Sequence, residues 1–268
     1  MSKRILVPVD FTAASDIAVE RATEIARRSA RELSFLHVTM SGEQENDVRD
    51  KLAGYGELAQ GNEDVQSDIV SVSGNVLKEI DQATTDESYD LMVMATHGIR
   101  GIRQMMFGAD ALKVARESEV PVVIVQERNK GADYSQIILP FAGHDHFDRL
   151  LKATTQMAKA FNSKVHIYSV DRPGDKPTEQ MEANMNMAKE KLAAVGVEFE
   201  EVHENPTMMS VGFARQTLDY AGRVGAGLVA VMASKTVEFS HIAQSDKETM
   251  INNDQGVDVL LAGDRCRG

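Results

Sequence analysis

Residues 91–109 read "LMVMATHGIRGIRQMMFGA". Leu91–Met94 is a short apolar run, which is typical of a buried β-strand. A loop with Gly98 and Gly101 follows, and a helix is expected just after Gly108. Glycines after a strand let backbone N–H groups approach an anion, and a helix N-terminus adds more N–H groups and a favourable dipole. The stretch therefore predicts a phosphate-binding loop between a strand and a helix.

The same alternation of apolar runs and amphipathic stretches extends over the first half of the chain. Continuous apolar strands that alternate with helices predict a parallel sheet with helices on both faces. The predicted strands are Ile5–Val9, Ser34–Met40, Val65–Val72, Asp90–Ala95 and Val122–Gln126. The predicted helices are Ala13–Ala30, residues 46–60, Asn75–Thr85 and Ala109–Ser118.

The second half repeats this order. "IILP" at 137–140 corresponds to "ILVP" at 5–8, "GLVAVMASK" to "DLMVMATHG", and "GVDVLLAG" to "EVPVVIVQ". A repeat this long indicates a duplicated domain. We expect two tandem doubly wound α/β domains at 1–128 and 134–262, each a five-stranded, mostly parallel sheet with helices on both faces. The polar segment Glu127–Ser135 is the expected linker.

Composition excludes several classes of protein. The chain has 268 residues, a net charge of −12 and 43% hydrophobic residues. An acidic chain without clustered Lys and Arg is not expected to bind nucleic acid or an anionic membrane surface. No signal peptide or run of about 18 apolar residues is found. The single cysteine, Cys266, is interpreted as an incidental tail thiol, which fits the cytoplasm.

With both halves in view, the chain resembles a tandem universal stress protein. "ILVPVDFT" is similar to the first strand of that family, which ends in an aspartate that contacts adenine and ribose. "MATHGIRGIRQMMFGA" resembles its signature loop, in which Gly98 and Gly108 have the required nine residues between them. Ala95 replaces the first glycine of that loop, and Ala109 replaces a hydroxyl residue that binds phosphate in the family. The resemblance implies weakened binding of ATP or AMP, with or without Mg²⁺.

The implied contacts lie at three places in the first domain. They are the end of the first strand, the end of the second strand, and the loop and helix after the fourth strand. The predicted nucleotide-binding residues are Pro8, Val9, Asp10, Thr12, Val38, Met94, Ala95, His97, Gly98, Gly101, Gly108, Ala109, Asp110 and Ala111.

The second domain has lost these features. Ala142 stands where Asp10 stands in the first domain, and "MASKTVEFSHIAQSDKET" has no glycine. We therefore expect nucleotide in the first domain only. The family often dimerises through its last strand, so the strands at 122–126 and 257–261 are expected to pair in an internal pseudo-dimer. A further homodimer of whole chains stays open.

Other interpretations remain beside this one. A nucleotide-free interaction scaffold is favoured by Ala95 and Ala109. No general base that could activate a water molecule is evident, so catalysis is expected to be slow ATP hydrolysis at most, and no catalytic residue is assigned.

The motif "HDHFD" at 144–148 has metal-ligand residue types, yet a hydrophilic helix start explains it better and no metal site is assigned. His37 and His166, interpreted as equivalent strand positions, are expected to be structural.

Overall fold

The computed structural model describes residues 3–63, 65–96, 108–126, 133–141, 143–171, 174, 176–207, 213–234 and 244–268. In the first half of the chain these residues form β1 Arg4–Pro8, α1 Ala13–Ser29, β2 Glu32–Thr39, α2 Glu45–Glu63, β3 Ser67–Ser73, α3 Val76–Thr84, β4 Tyr89–Thr96, α4 Gly108–Glu117 and β5 Val122–Gln126. In the second half they form β6 Gln136–Pro140, α5 Phe147–Phe161, β7 Lys164–Val170, α6 Glu179–Ala194, β8 Phe199–Glu204, α7 Phe213–Val224, β9 Leu228–Met232, α8 Gln244–Ile251 and β10 Asp258–Ala262.

All ten strands of the described residues lie in one sheet, in the order β3-β2-β1-β4-β5-β10-β9-β6-β7-β8. Within each half every pairing is parallel. The halves meet where β5 and β10 pair antiparallel, with Val123 opposite Leu260. The predicted fold class, two doubly wound five-stranded units, is confirmed. In each half the strand order reverses beside the first strand, where ligand crevices form in such sheets.

Helices cover both faces of the sheet, as the apolar strands predict. One face packs against α1, α2, α5 and α6, and the other against α3, α4, α7 and α8. Both apolar cores run through the β5–β10 junction and include buried residues from each half. The halves therefore do not have separate cores, because the paired strands carry the core from one half into the other.

The first helix shows how local sequence sets these elements. The Thr12 side chain caps its N-terminus by accepting a hydrogen bond from the Ser15 N–H. Ala18, Ala22 and Ile25 share the buried face, as expected for an amphipathic helix. Capping and periodicity thus agree, and they fix the loop between β1 and α1.

Part of the predicted linker can be compared with the structure. Residues 127–132 lie outside the described residues. Tyr134 is fully buried, so the end of that segment belongs to the core and is not a polar connector. Its hydroxyl donates to Asp258 Oδ2 at 2.5 Å, a contact 124 residues away that composition cannot indicate.

Candidate functional site

A cavity of about 360 Å³ opens at the carboxyl ends of β1, β2 and β4, beside the point where the strand order reverses. The helices α3 and α4 complete its walls. The lining residues are Pro8, Val9, Asp10, Thr12, Ala14, Ser15, Leu36, His37, Val38, Met40, Glu43, Val76, Leu77, Ile80, Met94, Ala95 and Asp110.

Asp10 organises the polar wall of the cavity. Its Oδ1 accepts hydrogen bonds from the Thr12 N–H at 3.2 Å, the Thr12 hydroxyl at 2.6 Å and the Ser15 hydroxyl at 2.6 Å. Its own N–H donates to Ser15 Oγ at 3.0 Å. The carboxylate is exposed, whereas Ser15 is buried. Asp10 therefore holds the turn before α1, while Thr12 is the residue that caps the helix.

The residue after Asp10 has an uncommon backbone conformation. Phe11 has a φ of 61°, in the left-handed region that bulky side chains rarely adopt. Its ring centroid lies 4.4 Å from that of His37, and Lys51 Nζ lies 5.0 Å from the Phe11 ring centroid. These contacts hold a conformation that costs about 1–3 kcal/mol, and such strain is concentrated at functional sites.

His37 and Glu43 form the second polar group of the cavity. His37 Nδ1 lies 2.8 Å from the Val9 carbonyl oxygen, and Nε2 lies 3.1 Å from Glu43 Oε2. The same carboxylate oxygen accepts the Met40 N–H at 2.6 Å. This backbone hydrogen bond, followed by His37, lowers the pKa of Glu43, so its carboxylate is an anion at the cavity wall.

The start of α4 forms the side of the cavity where an anion would be expected. Gly108 is the first residue of the helix, and Ala109 is exposed. Ala111 is fully buried, so only its backbone is available. Asp110, half-buried in the first turn, lines the cavity. A carboxylate in a first turn is stabilised by the helix dipole, which is the same field that would attract a phosphate.

The structure brings most of the predicted site residues to one place. Those that line the cavity are Pro8, Val9, Asp10, Thr12, Val38, Met94, Ala95 and Asp110. Gly108, Ala109 and Ala111 lie at the adjoining start of α4. His97, Gly98 and Gly101 lie outside the described residues.

Sequence reasoning missed Glu43 and the wall that α3 contributes. Val76, Leu77 and Ile80 of α3 line the cavity. The apolar spacing of these three residues in a predicted helix was available from the sequence, but the face of the sheet that the helix covers was not. Glu43 lies in the turn after β2, and no motif distinguishes it from a solvated acid.

The strand register corrects one expectation about the histidines. Pro8 pairs with Leu36, and Pro140 pairs with Tyr168, so Leu36 and Tyr168 are the equivalent residues. His37 and His166 therefore do not occupy equivalent positions. Both rings are satisfied by neighbours, as expected, and His166 contacts the Tyr220 hydroxyl at 2.8 Å and Gln136 Oε1 at 2.7 Å. Only His37 also lines the described cavity.

In the second half, β9 and α8 are the counterparts of β4 and α4. Lys247 of α8 is fully buried, and its ammonium donates to the Ser234 carbonyl just after β9. Burial, with Arg116 nearby, lowers the pKa of Lys247 to about 8. The Ser234 hydroxyl donates to Asp264 Oδ1 at 2.5 Å. Residue 142 and residues 235–243 lie outside the described residues.

The segment at 144–148 is a helix start, as predicted. His146 is the residue before α5, and Asp148 lies in the first turn of that helix. His144 is buried, and its carbonyl accepts the Asn184 side-chain N–H at 3.0 Å. Across the described part of the chain, no group of three or more His, Cys, Asp or Glu side chains is placed to hold a metal ion.

Cys266 is not an incidental tail thiol. It is 1% exposed, and burial raises its pKa to about 11. Its thiol lies 3.8 Å from the Ser118 carbonyl of the first half, and the Arg267 guanidinium donates to the carbonyls of Thr84 and Tyr89 at 3.1 and 2.8 Å. The final residues therefore pack onto the first half, close to the end of α3.

Comparison with known proteins identifies the relatives of this chain. Residues 1–126 match the Universal stress protein family. A universal stress protein of Methanocaldococcus jannaschii is 23% identical to this chain, and the match covers 48% of this chain and 98% of that protein. The described helices include none that is long and apolar enough to cross a membrane.

Solved structures are similar to this chain over both of its halves. The crystal structure of a universal stress protein from Archaeoglobus fulgidus has a TM-score of 0.74 and 18% identity, over 98% of this chain and 99% of that one. The fold of both halves therefore occurs in that structure. A universal stress protein solved in complex with cAMP is 22% identical over 47% of this chain and 98% of that one, with a TM-score of 0.40.

Proposed function

Because residues 1–126 match the universal stress protein family, we propose that the cavity between β1 and β4 binds an adenine nucleotide or nucleoside. The observation that carries the proposal is the position of this cavity. It lies at the carboxyl edge of the sheet, beside the strand-order reversal, and eight of the residues predicted from the sequence line it.

The walls suit the two parts of a nucleoside. Leu36, Val38, Ile80 and Met94 are buried apolar residues that can contact a planar base. The exposed carboxylate of Asp10, which also lines the cavity, can accept a hydrogen bond from a ribose hydroxyl or an adenine amino group. The turn contacts of Asp10 orient the carboxylate before any ligand arrives, which lowers the entropy lost on binding.

Binding is proposed for the first half only. The support for this is Lys247 of α8, which is buried and donates to the Ser234 carbonyl just after β9, the counterpart of β4. A ligand there would have to displace a buried side chain that is hydrogen-bonded to backbone, and it would leave that carbonyl without its partner.

We further propose that 1–128 and 134–262 are duplicated domains and that the β5–β10 pairing is an internal pseudo-dimer interface. The antiparallel register and the continuous cores support this arrangement. The bound nucleotide would modulate the conformation of the chain or its binding to a protein partner. The alternative function is a nucleotide-free scaffold, which would give no binding in a calorimetric titration with adenosine or AMP.

The substitution Asp10→Asn tests the site. Asparagine keeps an Oδ1 that accepts from Thr12 and Ser15, so the melting temperature should change by less than about 2 °C. The lost charge and acceptor should weaken adenosine or AMP binding about tenfold to a hundredfold, measured by calorimetry. Alanine is less suitable, because it would leave the buried Ser15 hydroxyl without its acceptor.

The matched control is Asp145→Asn, the same change at an exposed residue in the loop after β6. It should leave both affinity and melting temperature at the parent values. Equal affinities for the parent protein and Asp10→Asn would show that Asp10 does not contact the ligand. If calorimetry detected no binding of any adenine compound, the nucleotide site would be wrong and the nucleotide-free scaffold would be the favoured function.

A further inference from the structure

The cavity of the first half has an unusual balance of charge for a site that would take phosphates. Asp10, Glu43 and Asp110 all line it, whereas the residues that the structure describes on its walls include no lysine or arginine. His37 is already engaged with one of these acids, Glu43, at 3.1 Å. An anionic ligand therefore meets carboxylates at the ends of β1, β2 and the start of α4.

Asp110 is the residue that bears most directly on phosphate. It lies in the first turn of α4, two residues after Gly108, and it is the acidic residue of that turn. Backbone N–H groups and the dipole at a helix N-terminus make an anion site. A carboxylate in that turn already offsets the dipole, and it repels a further anion that approaches the same N–H groups.

The repulsion grows with each phosphate, whereas the contacts to base and ribose do not change. Asp110 and the apolar wall therefore favour ligands with little negative charge. We propose that Asp110 is a specificity-determining residue that makes the site select an adenine nucleoside or nucleoside monophosphate over the triphosphate. This inference rests on the proposed function, since it assigns the ligand class of the same cavity.

The test is a calorimetric titration with adenosine, AMP and ATP, in EDTA so that no divalent cation neutralises the phosphates. The parent protein should bind adenosine and AMP more tightly than ATP. Asp110→Asn should strengthen ATP binding about fivefold to tenfold and change adenosine binding less than about twofold. Because the effect is electrostatic, the gain for ATP should shrink as salt is raised.

Asp246→Asn is the matched control, since Asp246 lies in the first turn of α8, the counterpart of α4 in the second half. It removes the same charge from the chain and should leave the ATP-to-adenosine ratio unchanged. The specificity role of Asp110 would be overturned if the parent bound ATP more tightly than adenosine, or if Asp110→Asn left the ratio of the two affinities unchanged. Either result would still support a nucleotide site in the cavity. Absence of binding by all three compounds would overturn the site itself.

Discussion

Replacing Asp258 with alanine is expected to lower the free energy of unfolding by about 3–5 kcal/mol, because it breaks a buried ion pair and leaves a charge behind. Asp258, the first residue of β10, is 0% exposed. Its Oδ2 lies 3.1 Å from Arg21 Nε and accepts the Tyr134 hydroxyl at 2.5 Å. Its Oδ1 accepts the Gln126 N–H at 2.9 Å. The carboxylate thus joins α1, β5 and β10 where the two halves meet.

Urea denaturation followed by circular dichroism measures this effect. The matched control is Asp68→Ala, which removes a half-exposed partner of Arg4 at 2.8 Å. That pair should contribute less than about 1 kcal/mol, because solvent screens it. Equal losses for the two variants would mean that the buried carboxylate does not hold the halves together.

Lowering the pH from 7.5 to 5 is expected to reduce stability by about 2 kcal/mol through His144 alone. Burial, with the neighbouring Lys247, lowers the pKa of His144 from 6.5 to about 4. The unfolded chain therefore binds a proton below pH 6.5 that the folded chain takes up only near pH 4. The contribution of His144 to stability is complete above pH 6.5 and is lost as the pH falls toward 4.

The test compares denaturation midpoints at the two pH values for His144→Asn and His146→Asn. His146 is exposed and lies two residues away, so its replacement should keep the parent's pH dependence. His144→Asn should be less stable than the parent at pH 7.5 but should lose about 2 kcal/mol less on acidification. An identical pH dependence in both variants would show that His144 titrates alike in the folded and unfolded chains.

Much of the fold could be predicted because each element carries a local signal. The strand predicted at Ile5–Val9 is observed at Arg4–Pro8, and the last strand of the first half is observed at its predicted bounds. The helix predicted at residues 46–60 extends over Glu45–Glu63. Apolar periodicity and capping residues determine these elements within a few neighbours, so the errors are confined to their ends.

The parts that could not be predicted depend on contacts between distant residues. Nothing near Asp258 in the sequence indicates that it pairs with Arg21, and nothing near Cys266 indicates that it packs against the first half. The residues of the site also divide into those that a local sequence signal predicts and those that it does not. Asp10 and Asp110 follow from their places at strand and helix ends, whereas Glu43 joins the cavity through a turn that no motif marks.

The most direct measurement is a crystal structure of the full chain grown with saturating adenosine or AMP. It should contain one ligand per chain, in the cavity between β1 and β4, with the base against Val38 and Met94 and a ribose hydroxyl on Asp10. The second half should contain none, because Lys247 is buried against Ser234 there. An empty cavity at saturating ligand, or ligand at equal occupancy in both halves, would contradict a nucleotide site confined to the first half.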